Sequence, residues 1–240
     1  MLISEIFYSI QGEGELTGIP SVFIRTSGCN LRCRWCDTPY ASWNPEGDDL
    51  TLSAIVAEVK KYPEAKHIVL TGGEPMIAKG IHELAKELKH LGYHITIETA
   101  GTVSPNHKDS GIPILCDLVS ISPKLMNSVP DPEQFGRLWV ERHKRRSGNW
   151  DAIQEWVANY TFQLKFVLST EEDALLFKAR VRLDEWLKAI PSSKILLMPE
   201  GITPEELKGR QEWLIAFCKD NGYRYCNRLH IDLFGNTRAT

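Results

Sequence analysis

The chain has 240 residues, with 28 Lys and Arg against 31 Asp and Glu, a formal net charge of −3 and a hydrophobic fraction of 42%. That length supports one substantial core and fits one large α/β domain over residues 1–240 better than two small ones. The balanced charge argues against the global basic field of a nucleic-acid binder. No uninterrupted apolar run approaches the ~20 residues that cross a bilayer, so neither nucleic acid nor membrane is expected as a partner.

Met1–Glu5 shows no charged leader before an apolar stretch. Ser21–Arg25 is an apolar strand that runs straight into a cysteine-bearing loop. Leu52, Ile55, Val56 and Val59 have helical spacing and predict a helix from Thr51 to Tyr62, with Thr51 as its N-cap. His67–Leu70 reads as a short buried strand ending at Thr71-Gly72-Gly73-Glu74-Pro75. A helix from Gly80 to Leu91 follows and stops at Gly92. Strands His94–Glu98 and Leu118–Ile121 come next, then Phe162–Val167 and Lys194–Leu197 on either side of a helix from Glu171 to Ala189. A last helix, Pro204–Asn221, precedes Tyr223–Tyr225.

This alternation predicts a parallel sheet closed or partly closed into a barrel, and about six βα units fall short of the eight of a full barrel. The expected fold is therefore α/β, a partial (βα)6-type TIM barrel. One segment leaves the rhythm: Met126–Tyr160 holds Pro130, Pro132, Trp139, Trp150, Trp156 and the run Glu141–Arg146. It reads as a helical insertion packed on the barrel. Its basic run is either a solvated helix face or a dock for an acidic electron-transfer partner.

The six cysteines, with no secretory signal, point to a reducing cytoplasm and to metal rather than disulfides. Cys29, Cys33 and Cys36 fall within eight residues. Cys33-x-x-Cys36 alone has the spacing of zinc or a redox dithiol. A zinc knuckle needs a second pair, whereas Cys218 and Cys226 lie far downstream and Cys116 sits in an apolar stretch as a small buried hydrophobe. Three thiolates on one loop can instead hold three corners of a cubane iron–sulfur cluster and leave the fourth iron open. A closed structural site uses four protein ligands. The cysteines by themselves leave zinc and cluster both open.

Barrel chemistry gathers at the carboxyl ends of the strands. There the sequence places the three cysteines, then Gly72-Gly73, whose missing Cβ atoms let a ligand approach the backbone. Glu98–Gly101, Ser122-Pro123-Lys124 and Met198–Gly201 follow later strands. Polar or glycine-bearing residues after nearly every strand predict a ligand-lined mouth.

Cys29-x-x-x-Cys33-x-x-Cys36 behind a strand, with Gly72-Gly73-Glu74-Pro75 about forty residues on, resembles the radical S-adenosylmethionine (SAM) superfamily. More narrowly, Tyr8-Ser9-Ile10-Gln11-Gly12-Glu13-Gly14, Phe23-Ile24-Arg25 and Cys36-Asp37-Thr38 are similar to the 7-carboxy-7-deazaguanine synthases of queuosine biosynthesis, a tRNA-modification pathway. The resemblance runs from the first strand to the Met198 loop. The Met126–Tyr160 segment has no family pattern to match, and Met198 stands where the family has glutamine.

The resemblance implies a [4Fe-4S] cluster on Cys29, Cys33 and Cys36, with its open iron chelating the amino and carboxylate groups of SAM. An electron passed through the cluster would then yield a 5′-deoxyadenosyl radical, which calls for the low end of the cluster potential range. It implies SAM contacts from Trp35 to adenine and from the Gly73 backbone to the methionyl amino group. Ser122, Pro123, Lys124, Met198, Pro199, Glu200 and Gly201 would hold ribose and carboxylate. No catalytic side chain is implied beyond the cluster-bound SAM.

The implied reaction is that of a lyase converting 6-carboxy-5,6,7,8-tetrahydropterin to 7-carboxy-7-deazaguanine with loss of ammonia. The substrate carboxylate suits the planar cation of Arg25. Its pterin edge suits Ile10, Gln11, Gly12 and Glu13, with Thr71 and His230 adding contacts. Thr38 is implied as a ligand of a Mg²⁺ ion that also touches substrate, in keeping with that ion's oxygen ligands. A flavodoxin or ferredoxin as electron donor and a homodimer are the expected partners. Two rival readings remain at this stage. An activase of a glycyl radical enzyme would share the cysteine loop but have no use for Gln-Gly-Glu-Gly or Arg25, and a zinc-binding module would be no enzyme at all.

Overall fold

Runs rich in Val and Ile, which favour the pleated backbone, form most of one nine-stranded sheet in a computed structural model that describes residues 1–240. The strands are β1 (Leu2–Ile10), β2 (Pro20–Thr26), β3 (Asp48–Asp49), β4 (His67–Gly72), β5 (His94–Thr99), β6 (Leu118–Ile121), β7 (Phe162–Leu168), β8 (Ile195–Pro199) and β9 (Arg224–Tyr225). Their order is β3-β1-β2-β4-β5-β6-β7-β8-β9. All pairings from β2 to β9 are parallel, while β1 runs antiparallel to both β2 and β3. The six longer parallel strands, β2 and β4 to β8, carry the predicted partial barrel.

The helices obey their local signals. Thr51 accepts from the Ala54 N–H at the start of Leu52–Val59. Ile81–His90 lies between Gly80 and Gly92, both at positive φ. Thr203 and Glu206 form a capping box on Pro204–Asn221. The helix expected over 171–189 is in fact two, Glu171–Leu183 and Glu185–Lys188, separated by an extended Asp184. The break turns Leu187 into the core while Leu183 stays exposed.

The sequence pattern does not announce β1, because the register shifts between Ile3 and Glu5. Ile3 packs into the main core under the helices, whereas Phe7, of the same parity, packs with Phe23 and Val69 on the opposite face. One extra residue in a strand flips every later side chain, so the alternation that marks a strand is lost.

The two faces of the sheet differ in chemistry. The outer face, with Ile24, Leu70, Ile97, Val119 and Phe166, meets Ile55, Leu84, Leu88, Trp156 and Phe177 of the helices in one continuous core. The inner face carries two small apolar groups, Phe7–Phe23–Val69 and Val167–Leu196–Met198–Cys226. The polar side chains Arg25, Thr71, Glu98, Ser120 and Lys165 share that face and line the same cavity as Phe7 and Val167. Register aligns Arg25 with Thr71, and Glu98 with Ser120. Between β6 and β7, residues 126–160 form the helices Pro132–Phe135, Arg137–Ser147 and Trp150–Asn159 after a short turn at Met126–Ser128. No helix is long and apolar enough to cross a membrane.

Of the two histidines in the sheet, His67 and His94, only His67 is buried. His67 is 3% exposed, with Nδ1 2.7 Å from Ser21 Oγ and Nε2 2.8 Å from Thr96 Oγ1. Burial pushes its pKa down to about 4. Because the folded value lies below the ordinary one near 6.5, the stability it contributes is present above ~6.5 and is lost as pH falls toward the folded value. Urea unfolding should therefore show His67 removing about 2 kcal/mol of stability between pH 7 and pH 5. The fall with pH should be shallower in His67→Gln, and identical slopes would contradict the assignment.

Candidate active site

The cysteine loop leaves the end of β2 through Gly28, at φ +103°. The Gly28 N–H donates to Ala41 O at 2.7 Å, and its carbonyl accepts the Glu74 N–H at 2.9 Å. Leu31, 1% exposed, anchors the loop inward. Cys33 is buried, Cys29 and Cys36 are half-buried, and all three line the cavity at the carboxyl end of the strands. Burial pushes the Cys29 thiol up to about 12 and raises Cys33 and Cys36 as well. A coordinating metal reverses that preference by deprotonating the thiol outright.

The segment after β6 clamps this loop from outside. The Arg32 N–H donates to His143 Nδ1 at 3.2 Å, and the Arg34 N–H donates to Ser128 O at 3.0 Å. Accepting at Nδ1 places the ring proton on Nε2, which lies 3.0 Å from Ser128 Oγ. The Arg32 guanidinium stacks 4.0 Å over Trp139.

Gly72 and Gly73 are required by crowding of backbone against backbone. A Cβ on Gly72 would come within 2.1 Å of Thr26 O, and one on Gly73 within 2.1 Å of Gly28 O. Glu74 next to them is buried and accepts from Thr99 Oγ1 at 2.7 Å, the Ala100 N–H at 2.9 Å and the Met76 N–H at 3.2 Å. It ties the glycine turn to the end of β5.

Opposite the thiols, the β1–β2 loop presents Ile10, Gln11, Gly12 and Glu13 to the cavity. Gln11 Nε2 donates to Glu98 Oε1 at 3.1 Å, and Gln11 Oε1 accepts the Glu13 N–H at 3.1 Å. Thr71 Oγ1 donates to Glu98 Oε2 at 3.0 Å. Glu13 is paired with Lys165 through Oε2 and accepts from Arg228 Nε through Oε1 at 3.0 Å. Burial alone would raise the Glu13 carboxyl, but Lys165 and Arg228 outweigh it and hold it well below the usual range. A Cβ on Gly12 would sit 2.1 Å from His230 Nδ1. Gly14, at φ +80°, would meet Gln163 Nε2 at the same distance. Both glycines of the Gln-Gly-Glu-Gly run are thus fixed by contact with distant parts of the chain.

The radical SAM superfamily model matches residues 23–161. The chain is 46% identical to a 7-carboxy-7-deazaguanine synthase of Rhodopirellula baltica, over 100% of this chain and 89% of that protein. It is 42% identical to one from Halobacterium salinarum, over 99% and 92%. The chain belongs to the 7-carboxy-7-deazaguanine synthase family of radical SAM enzymes. A crystal structure of QueE from Escherichia coli matches the fold with a TM-score of 0.64 at 22% identity, covering 95% of this chain and 94% of that one.

Family membership implies a [4Fe-4S] cluster and SAM, and the residues fit both. No three His, Cys, Asp or Glu side chains converge where a single ion could sit, whereas a cubane gives each thiolate its own iron. No fourth cysteine lines the cavity: Cys116, Cys218 and Cys226 lie elsewhere. Trp35 packs against the Val167–Met198 group, yet its Nε1 is buried without a partner, as a wall meant to face a ligand would leave it. Lys124 Nζ lies 5.0 Å over the Trp35 ring and donates to Ser122 Oγ at 2.8 Å.

Among the residues expected from the sequence, the cavity gathers Cys29, Cys33, Cys36, Trp35, Thr38, Gly73, Ser122, Lys124, Met198, Ile10, Gln11, Gly12, Glu13, Arg25, Thr71 and His230. Pro123, Pro199, Glu200 and Gly201 are not in its wall. Glu200 pairs instead with Arg210 at 2.8 Å, and Gly201 O accepts from Arg228. Sequence reasoning passed over Lys165, Arg228 and Glu5. The signal available for Lys165 was its place two residues from Gln163 on a strand otherwise apolar, which puts two polar groups on one buried face.

Replacing His143 removes the acceptor of the Arg32 N–H. His143→Leu should lower the iron retained after anaerobic reconstitution and speed its loss to a chelator severalfold. Retention equal to the unmutated protein would show that the clamp does not hold the loop.

Proposed function

We propose that this chain converts 6-carboxy-5,6,7,8-tetrahydropterin, with loss of ammonia, to 7-carboxy-7-deazaguanine, the product for which its relatives are named. The observation that carries the reading is Arg25 sharing one cavity with the three thiols and the Gln11–Glu13 loop. Arg25 Nε is spent on Glu5 Oε1 at 2.6 Å, a carboxylate that also accepts from the Tyr40 hydroxyl at 2.8 Å. Neither terminal nitrogen of Arg25 has a protein partner, which leaves a planar pair of donors for the substrate carboxylate. Held by Cys29, Cys33 and Cys36, the cluster with its SAM would supply the radical chemistry that starts the reaction.

The protein's own part is recognition and water exclusion. Glu13, held ionised, accepts N–H groups from the pterin edge. Gln11, fixed at both ends by Glu98 and Glu13, keeps one N–H for the ring carbonyl. The stacked Phe7 and Phe23 rings, 5.0 Å apart, form an apolar wall beside Arg25. Of the residues expected to hold SAM after the later strands, Ser122, Lys124 and Met198 line the cavity and belong to the SAM side of this reading. The cavity walls are lined by polar groups suited to a small heterocycle, so the glycyl radical activase is not favoured.

Thr38 serves in this reading as a Mg²⁺ ligand shared with substrate. The donor set supports it: a hydroxyl at the N-terminus of the short helix Pro39–Ser42, with no capping bond of its own, facing the cavity. A flavodoxin or ferredoxin delivers the electron, the chain works as a homodimer in the cytoplasm, and its product feeds tRNA modification.

Incubating the reduced holoenzyme with SAM and the pterin should yield deazaguanine absorbance, and its absence would overturn the function. Glu13→Gln should raise the KM for pterin by at least about tenfold, since a charge-assisted hydrogen bond is worth roughly 1.5–3 kcal/mol. Thr38→Ala should weaken the Mg²⁺ dependence of turnover. Equal rates with and without a metal chelator in the unmutated enzyme would remove the ion from the site.

A further inference from the structure

Arg228 belongs to no motif, yet each nitrogen of its guanidinium serves a different loop of the cavity. Nε donates to Glu13 Oε1 at 3.0 Å, Nη1 donates to Gly201 O, and Nη2 donates to Asp37 Oδ2. Glu13 stands on the loop assigned to the pterin. Gly201 closes the loop after β8. Asp37 lies between Cys36 and Thr38. The Arg228 side chain is 7% exposed and that of Glu13 13%, so their bond is shielded from water, while Asp37 at 36% lies nearer the solvent. Its surroundings pin it further, because the Leu229 N–H donates to Gly12 O at 2.9 Å and His230 packs on Gly12.

The charges balance within the cluster. Glu13 and Asp37 face Arg228 and Lys165, so two negative groups meet two positive ones. His230, 4.0 Å from Glu13, is pushed toward its neutral form by burial. The cluster is neutral as a whole, while each Glu13 oxygen, with one protein partner, keeps a lone pair for a ligand. The fork is rigid and planar, so moving any one of its three partners re-aims the other two.

We infer that Arg228 is a positioning residue that makes SAM and pterin binding mutually dependent, by joining the cysteine loop and the β8 loop to the Glu13 loop. The inference rests on the proposed substrate. A ligand that orders the cysteine and β8 loops fixes Asp37 and the Gly201 carbonyl. Those fix the guanidinium, and the guanidinium fixes Glu13 before the second ligand arrives. Binding linkage makes the effect reciprocal. An ion pair that merely stabilised the fold would couple nothing.

The test is equilibrium binding of the pterin to anaerobically reconstituted holoenzyme, with and without saturating SAM. The unmutated protein should bind pterin at least about fivefold tighter when SAM is present. Arg228→Lys keeps the charge but cannot reach three loops, and its coupling should fall below about twofold. Lys89→Met, which breaks the distant Lys89–Asp117 pair, should lower the melting temperature and leave the coupling intact. Should Arg228→Lys not fold, Asp37→Asn removes one limb and should reduce the coupling likewise. Coupling unchanged in these Arg228 and Asp37 variants, or absent from the unmutated protein, overturns the inference alone. Failure of the unmutated holoenzyme to bind pterin overturns the proposed function and this inference with it.

Discussion

Three thiols on one short loop can hold only three corners of a cubane, and the carboxyl edge of this sheet is organised around the corner left over. The loop is not stiff by itself. It is held by contacts from every side: the Gly28 carbonyl by Glu74, Leu31 by the interior, and the Arg32 and Arg34 amides by His143 and Ser128. The glycines after β4 exist because that strand must end against the cysteine loop with no room for a side chain. The three thiols that would hold the cluster line the same cavity as the polar inner face of the barrel, where the rest of the chemistry lies.

That inner face explains why the molecule tolerates so many buried charges. The outer face supplies the apolar core, with Trp156, Phe166 and Phe177 fully buried and each worth roughly 1.5–3 kcal/mol. The inner face can then carry Arg25 and Lys165, each paired with a carboxylate, and Glu98, which accepts from Gln11 and Thr71. Removing one member of a buried ion pair costs about 3–5 kcal/mol, because its partner is left uncompensated. The pairing scheme is thus both a structural condition and a way to present charge: Glu13 stays ionised, and Arg25 keeps two nitrogens unspent.

What could be read from the sequence follows from how locally each feature is encoded. The cysteine loop, Gln11–Gly14 and Gly72–Pro75 each concentrate their chemistry within a few residues, the apolar runs of β2 and β4 are unbroken, and the Pro204–Asn221 helix is bounded by its capping box and Gly222. The edge strand β1 escaped because its register shift puts Ile3 and Phe7 on opposite faces. Arg228 and Lys165 escaped for a different reason: their meaning lies in partners 215 and 152 residues away. Nothing near Arg228 distinguishes it from a surface cation, and Lys165 is marked only by sharing a face with Gln163 on an apolar strand. The reason for Gly12 is likewise invisible until His230 is seen against it.

The central claim is that the cluster keeps one iron for SAM, and hyperfine spectroscopy tests it directly. Reduced, oxygen-free holoenzyme mixed with SAM carrying ¹⁵N in its amino group should show that nitrogen coupled to the cluster. The coupling should be absent before SAM is added. A coupling to a protein nitrogen already present without SAM, or a spectrum that SAM leaves unchanged, would mean the fourth iron is occupied by the chain itself and would contradict the account.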